Sequence, residues 1–238
     1  MRDGGFEARH KRVPSPESHI RLVRARTIRP AIGWYRCPPL RALRLTRPFR
    51  RADIVRMVEP RGLYTLEMWQ RLPSDGNRYE LVDGELVVTP SPARVHQLLV
   101  YRLVARLGAY VDAHALGQVW PGPIDVFVGT HTVLEPDVAV ELGPSARRLA
   151  SWHELEGPAL VVEIVSPGSA RHDRGRKREV YLARGCEYWI VDPERRVIER
   201  WTPEADRPVF HGATLEWHPV PGVAALTLDL TALFADIR

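Results

Sequence analysis

Ala159-Leu160-Val161-Val162-Glu163-Ile164-Val165 sets a single carboxylate inside an otherwise unbroken apolar run. Both faces of such an extended segment are apolar, the pattern of a strand at the centre of a sheet that is covered on each side. Helical spacing takes over at about 171–184, where Gly185 stops it, and a further apolar strand pattern follows at Glu187–Val191. Strand, helix and strand in this order predict an α/β fold. Glu163 is the anomaly in that core. A carboxylate there is costly unless a cation or hydrogen-bond donors compensate it, so it is either a partnered core residue or a functional one.

Further elements read outward from this centre. Upstream, Val119–Val128 and Val133–Val140 are extended segments. Before them Val95, Leu98, Leu99, Leu103, Leu107, Tyr110 and Val111 recur at helical spacing behind Ser91-Pro92, which reads as an N-cap with proline at the first helical position, and Gly117 lies just beyond the helix end. Tyr79-Glu-Leu-Val-Asp-Gly-Glu-Leu-Val-Val88 is a hairpin with a two-residue Asp83-Gly84 turn, whose register puts Glu80 opposite Val87 and on one face with Val82. A short helix at 66–72 precedes it, with Thr65 as N-cap and Glu67 in its first turn, closed by Pro73 and the turn at 74–77. Downstream, Arg196–Trp201 is the hairpin partner of 187–191, followed by short strands and a terminal helix near 229–236. The whole predicts an α/β sandwich with a mixed central sheet flanked by helices.

Charge divides the chain. Residues 1–56 carry 15 basic and 4 acidic side chains, whereas 57–238 carry 19 and 25. The net +5 therefore comes from a leader, and the domain behind it is mildly acidic. The leader is broken by prolines at 14, 16, 30, 38, 39 and 48 and has no sustained apolar period. A disordered nucleic-acid-binding arm, a targeting segment and upstream sequence read through from a misplaced start are its three readings; the last is adopted, with a disordered or spurious leader at 1–56 and one domain at 57–238. No apolar run approaches the ~18 residues of a membrane span, and two cysteines, Cys37 and Cys186, are too few for a disulfide framework. The expected setting is a reduced cytoplasm.

Three residues carry most of the chemistry. Besides Glu163, Asp137 follows Glu135-Pro136 at the start of a strand, where a proline without an N–H is tolerated. Two carboxylates at the ends of neighbouring strands would make a hard oxygen site of the kind magnesium takes, with water and phosphate completing its shell. The third is Lys177. Of 34 basic residues only Lys11 and Lys177 are lysines, and Lys177 sits on the helix after the Glu163 strand. An ammonium is a compact point charge whose pKa responds to burial and neighbours, unlike a guanidinium. A surface pair with Asp173, four residues earlier, is the bland alternative. Asp125 reads either as a site residue or as the end of a turn, His96 as a satisfied polar residue, Ser166 as a cap, and Tyr188–Val191 as core.

Taken together, Tyr79-Glu-Leu-Val-Asp-Gly-Glu-Leu86, Ser91-Pro…His96-Gln97, Pro123-Ile-Asp-Val126, Glu135-Pro-Asp137, Val162-Glu-Ile-Val-Ser-Pro167, Asp173-Arg…Lys177-Arg…Tyr181 and Glu187-Tyr-Trp-Ile-Val-Asp-Pro193 resemble the Uma-two family of restriction endonucleases, in order and over essentially all of 57–238. That family is placed in the PD-(D/E)xK nuclease superfamily. The resemblance implies a restriction-endonuclease-like core, with Asp137 and Glu163 as metal ligands, Lys177 as catalytic lysine and Glu80 lining the site. The position two after Glu163 is Val165 and not lysine, so the resemblance implies that the lysine has moved to the next helix. The expected function is hydrolysis of phosphodiester bonds, in DNA, by a water activated on Mg2+ (or Mn2+), with a homodimer as the natural way to cut two strands. The alternatives are a catalytically inert module of the same fold that binds nucleic acid or protein, and a metal-dependent hydrolase acting on another substrate.

Overall fold

The computed structural model describes residues 55–57, 62–89, 91–147, 157–166 and 168–237. In chain order the elements are β1 (Val55–Met57), α1 (Leu66–Trp69), β2 (Arg78–Val82), β3 (Glu85–Thr89), α2 (Arg94–Ala113), β4 (Gly117–Pro121), β5 (Val126–Gly129), β6 (Thr132–Leu134), β7 (Val138–Leu142) and β8 (Leu160–Ile164). A kinked helical stretch follows in three pieces: α3 (Ala170–His172), a turn bent at Gly175 (Asp173–Lys177) and α4 (Arg178–Ala183). After it come β9 (Glu187–Asp192), β10 (Val197–Trp201), β11 (Val209–His211), β12 (Thr214–Trp217), β13 (Leu226–Asp229) and α5 (Leu230–Leu233).

The central sheet has the order β11-β10-β9-β8-β7-β4. Only β8 and β9 run parallel, joined by the helical stretch; the other pairs are antiparallel, so the sheet is mixed as expected. Side chains alternate along β8 with a period of two. Leu160, Val162 and Ile164 pack with Leu99, Leu103, Leu107 and Val111 of α2 on one face. Val161 and Val165 pack on the other face with Val180 and Tyr181 of α4 and with Val82 and Val87 of the hairpin. Glu163 shares the parity of the second group and so points toward α4 and the hairpin.

The hairpin belongs to a second sheet, β1-β3-β2-β6-β5. Asp83 and Gly84 both have positive φ (50° and 82°), as a type I′ turn requires. Glu80 pairs with Val87, the register read from the sequence. β1 pairs with β3, Val55 opposite Val88, so this sheet takes in two residues ahead of the boundary expected at Met57. The disordered or spurious leader expected over the rest of 1–56 lies outside the described residues.

Two local expectations are corrected. Each of the two long extended segments is cut in two: Pro123 and Pro136 have no N–H for a ladder, and the chain crosses there between the sheets, from β4 to β5 and from β6 back to β7. That crossing leaves Glu135 and Asp137 at the junction of the sheets. Helix α2 starts at Arg94 behind Ala93, without a side-chain cap, because the Ser91 hydroxyl donates to the Gly76 carbonyl (3.3 Å) instead. Gly117 lies just beyond the helix end, as expected, with Ala115 at a positive φ (52°) between them; a Cβ on Gly117 would collide with the Glu141 carbonyl across the β4–β7 pair. Thr65 caps α1 as expected, accepting from the Met68 N–H at 3.4 Å.

Candidate active site

Arg78 and Glu80 occupy alternate positions of β2, on the face that also carries Val82, and so enter the space between the sheets. Asp137 is fixed by its backbone, whose carbonyl accepts from the Gly122 N–H at 2.8 Å. Gly122 is required there: a Cβ would fall inside the Pro136 carbonyl oxygen. Lys177 is aimed by the helix. Tyr181, four residues on and so on the same helix face, stacks on Tyr188 of β9 with ring centroids 5.3 Å apart. The helical stretch is kinked at Gly175 (φ −101°, ψ −113°), and Asp173, just before the kink, is buried with Lys177.

The expected four residues converge. The Lys177 Nζ lies 2.7 Å from Glu80 Oε1, 3.0 Å from Glu163 Oε1 and 3.5 Å from Asp173 Oδ1. Glu80 Oε1 also accepts from the Glu135 N–H at 2.9 Å. Asp137 stands beside this group in a second set of contacts. Its Oδ1 meets Arg78 Nη1 at 2.7 Å, and its Oδ2 meets His96 Nε2 at 2.9 Å and accepts from the Ile164 N–H at 2.8 Å. Arg78 also bonds the Glu135 carbonyl and reaches Glu135 Oε2 at 3.4 Å. Arg78, Glu80, His96, Asp137, Glu163 and Lys177 all line one cavity of about 900 Å³.

Burial sets the electrostatics. Glu80, Asp137, Glu163, Asp173 and Lys177 are each less than 5% exposed, at 2%, 4%, 3%, 2% and 3%. Burial pushes the Glu163 carboxyl well above its ordinary value; Lys177 opposes this, while Asp137, Asp173 and Glu80 add to it. Burial likewise raises Asp173 against the pull of Lys177, and raises Glu135 to about 7 against that of Arg78. For Glu80 and Asp137 burial acts in the same direction but loses. Lys177 and Arg78 hold Glu80 below its usual value, and the His96 hydrogen bond and Arg78 do the same for Asp137. Lys177 itself is a firm ammonium: burial lowers its pKa, but Glu163, Glu80 and Asp173 together raise it above the usual lysine value.

Several residues read from the sequence find their places. His96 meets Asp137 through Nε2 but is not the fully satisfied polar residue expected, since its buried Nδ1 has no hydrogen-bond partner among the described residues, and Ser166 caps the next segment, its Oγ accepting from the Ser169 N–H at 3.2 Å. Tyr188 to Val191 are fully buried. Asp125 is not among the residues that line the cavity; its charge acts on Glu135. The Asp173–Lys177 pair is not a surface pair but part of the buried group. Arg78 and Glu135 were missed. The period of two placed Arg78 on the same strand face as Glu80, which was the available signal.

A mixed sheet covered on both faces, with buried carboxylates and a lysine gathered where a second sheet meets it, defines a restriction-endonuclease-like α/β protein. Residues 66–231 match the Uma2 family model, described as "Putative restriction endonuclease", and the chain belongs to that family. A crystal structure of "a putative nuclease belonging to DUF820" from Anabaena variabilis has the same fold, with a TM-score of 0.61 at 19% identity over 73% of this chain and 99% of that one. An uncharacterized protein of Synechocystis sp. is 28% identical over 107 residues, 44% of this chain, and the match spans only 54% of that relative's length.

The donor set suits a hard divalent ion in kind, because it consists of carboxylate oxygens. It leaves room for one in charge as well: two permanent cations, Arg78 and Lys177, stand among the five buried carboxyl groups of Glu80, Glu135, Asp137, Glu163 and Asp173, and burial already pushes Glu135, Glu163 and Asp173 toward their neutral forms. Among the described residues, however, no three carboxylate, imidazole or thiol groups already stand together as a ligand set. Their oxygens are engaged by Lys177, Arg78 and His96 instead.

Proposed function

We propose that this protein is a magnesium-dependent endonuclease that hydrolyses phosphodiester bonds in DNA. The observation that carries the reading is the meeting of Glu80, Glu163 and Lys177 in one buried group, beside Asp137, on the wall of a single cavity. Mg2+, or Mn2+ in its place, held by Asp137 and Glu163 with Glu80 beside them, would lower the pKa of a bound water and offset charge on the phosphate. Lys177, as an ammonium, aligns the attacking water and neutralises charge at the phosphate; its raised pKa suits it to this task and not to that of a base. Arg94, exposed on the rim of the cavity in the first turn of α2, adds positive charge where a phosphate backbone would approach. The reading carries with it a cytoplasmic location and a homodimer that presents two sites to two strands. Among the described residues no helix is long and apolar enough to cross a membrane.

A second reading, an inert module that binds nucleic acid or protein, draws on the full engagement of Asp137 by Arg78, His96 and the Ile164 N–H. Cleavage separates the two. The full chain is incubated with single- and double-stranded DNA, and with RNA, in Mg2+, Mn2+ or EDTA, beside Asp137→Asn, Glu163→Gln and Lys177→Ala. The nuclease reading expects metal-dependent cleavage that each substitution reduces by at least about a hundredfold. Cleavage that survives all three, or none by the wild type in either metal, would overturn it.

A further inference from the structure

Among the described residues, Arg78 is the one permanent cation that touches Asp137. Its guanidinium uses an Asp137 oxygen that a metal would need, 2.7 Å away, and binds Glu135 through both the backbone carbonyl and the carboxylate. Lys177 does the corresponding thing on the other side of the group, between Glu80 and Glu163. Two such cations stand among five buried carboxyl groups, so an added divalent charge would favour the ionised forms of those groups. A guanidinium already lodged on the ligand opposes that charge at close range.

We infer that Arg78 is the resident counter-cation of Asp137 in the metal-free protein and competes with a divalent ion for that carboxylate. The inference rests on the metal-dependent reading above. It departs from the plainer role of a tie between the two sheets, because a tie stabilises the fold equally with and without metal. A competing cation stabilises only the metal-free form and makes metal uptake harder. Ligand binding to the folded state alone raises stability with concentration, so the unfolding midpoint reports uptake directly.

The test follows the thermal unfolding of the full chain through a manganese titration that starts in EDTA, for wild type, Arg78→Met and Arg78→Lys. The expected result has three parts. Arg78→Met unfolds earlier than wild type in EDTA, and its deficit closes as manganese is added. Its half-saturation lies at least about fivefold below that of the wild type, the low end of ordinary coupling between linked sites. Arg78→Lys, which keeps the charge, stays near the wild type. If Arg78→Met folds only when manganese is present, the inference is upheld in its stronger form; if it folds in neither condition, or keeps the same deficit at every concentration, Arg78 is a tie and the inference fails. A wild type that responds to manganese while Arg78→Met responds at an equal or higher concentration removes the inference alone. A wild-type midpoint that ignores manganese removes the metal-dependent reading, and the inference with it.

Discussion

Replacing Lys177 by methionine keeps most of the side-chain volume and removes one positive charge from a site that is 3% exposed. Glu80, Glu163 and Asp173 then lose a partner that stands 2.7, 3.0 and 3.5 Å from them. Breaking a buried ion pair from one side costs about 3–5 kcal/mol, because the remaining charge stays desolvated. In a domain of this size about 2–4 °C of unfolding midpoint goes with each kcal/mol, so the fall should be about 6–20 °C. The carboxylates can escape part of the cost by taking up protons. Burial already raises Glu163 and Asp173 and works in the same direction on Glu80. A carboxyl whose folded pKa exceeds its unfolded one stabilises the fold below the unfolded value, and that contribution is lost as pH rises through the folded value. The deficit of Lys177→Met should therefore be smaller near about pH 5 than near about pH 8. Urea or thermal denaturation of both proteins in EDTA at the two pH values measures it. A deficit under about 1 kcal/mol, equal at both, is what a solvent-screened surface pair gives, and it would refute the buried group.

Two further outcomes follow from the packing. Gly122→Ala should cost more than about 2 kcal/mol by denaturant titration, because its methyl meets backbone that cannot yield, at the Pro136 carbonyl; the same change should displace Asp137 and abolish cleavage, and a fully active, stable variant would contradict this. Cys186 is fully buried with its thiol pushed up to about 11 by burial, so at about pH 8 roughly one molecule in a thousand carries the thiolate. In a Cys37→Ser background a disulfide reagent such as DTNB should label this thiol only on unfolding, and rapid labelling of the native chain would contradict its burial.

The sequence made the fold legible where periodicity and turn chemistry agree. Asp83-Gly84 determines the hairpin register and hence the face of Glu80, and the all-apolar surroundings of Glu163 identify the central strand. What it did not reveal depends on the third dimension. Pro123 and Pro136 mark breaks, but nothing local says that the chain changes sheets at them and so lays Asp137 between the two. Lys177 stood out by its rarity, yet its firm protonation arises from three carboxylates on three different elements. Asp173 looked like an ordinary helix-surface partner because the four-residue spacing that pairs it with Lys177 says nothing of what covers that face. Arg78, one arginine among many, acquires meaning only through the carboxylates opposite.

The central claim, that Asp137 and Glu163 hold a divalent ion, is tested most directly by anomalous diffraction from crystals soaked in manganese. A single strong peak within about 2–2.3 Å of carboxylate oxygens from both residues, lost in Asp137→Asn, is the predicted result. A fully soaked crystal with no peak there, Asp137 still bound to Arg78 and His96, and Lys177 still between Glu80 and Glu163 would contradict it.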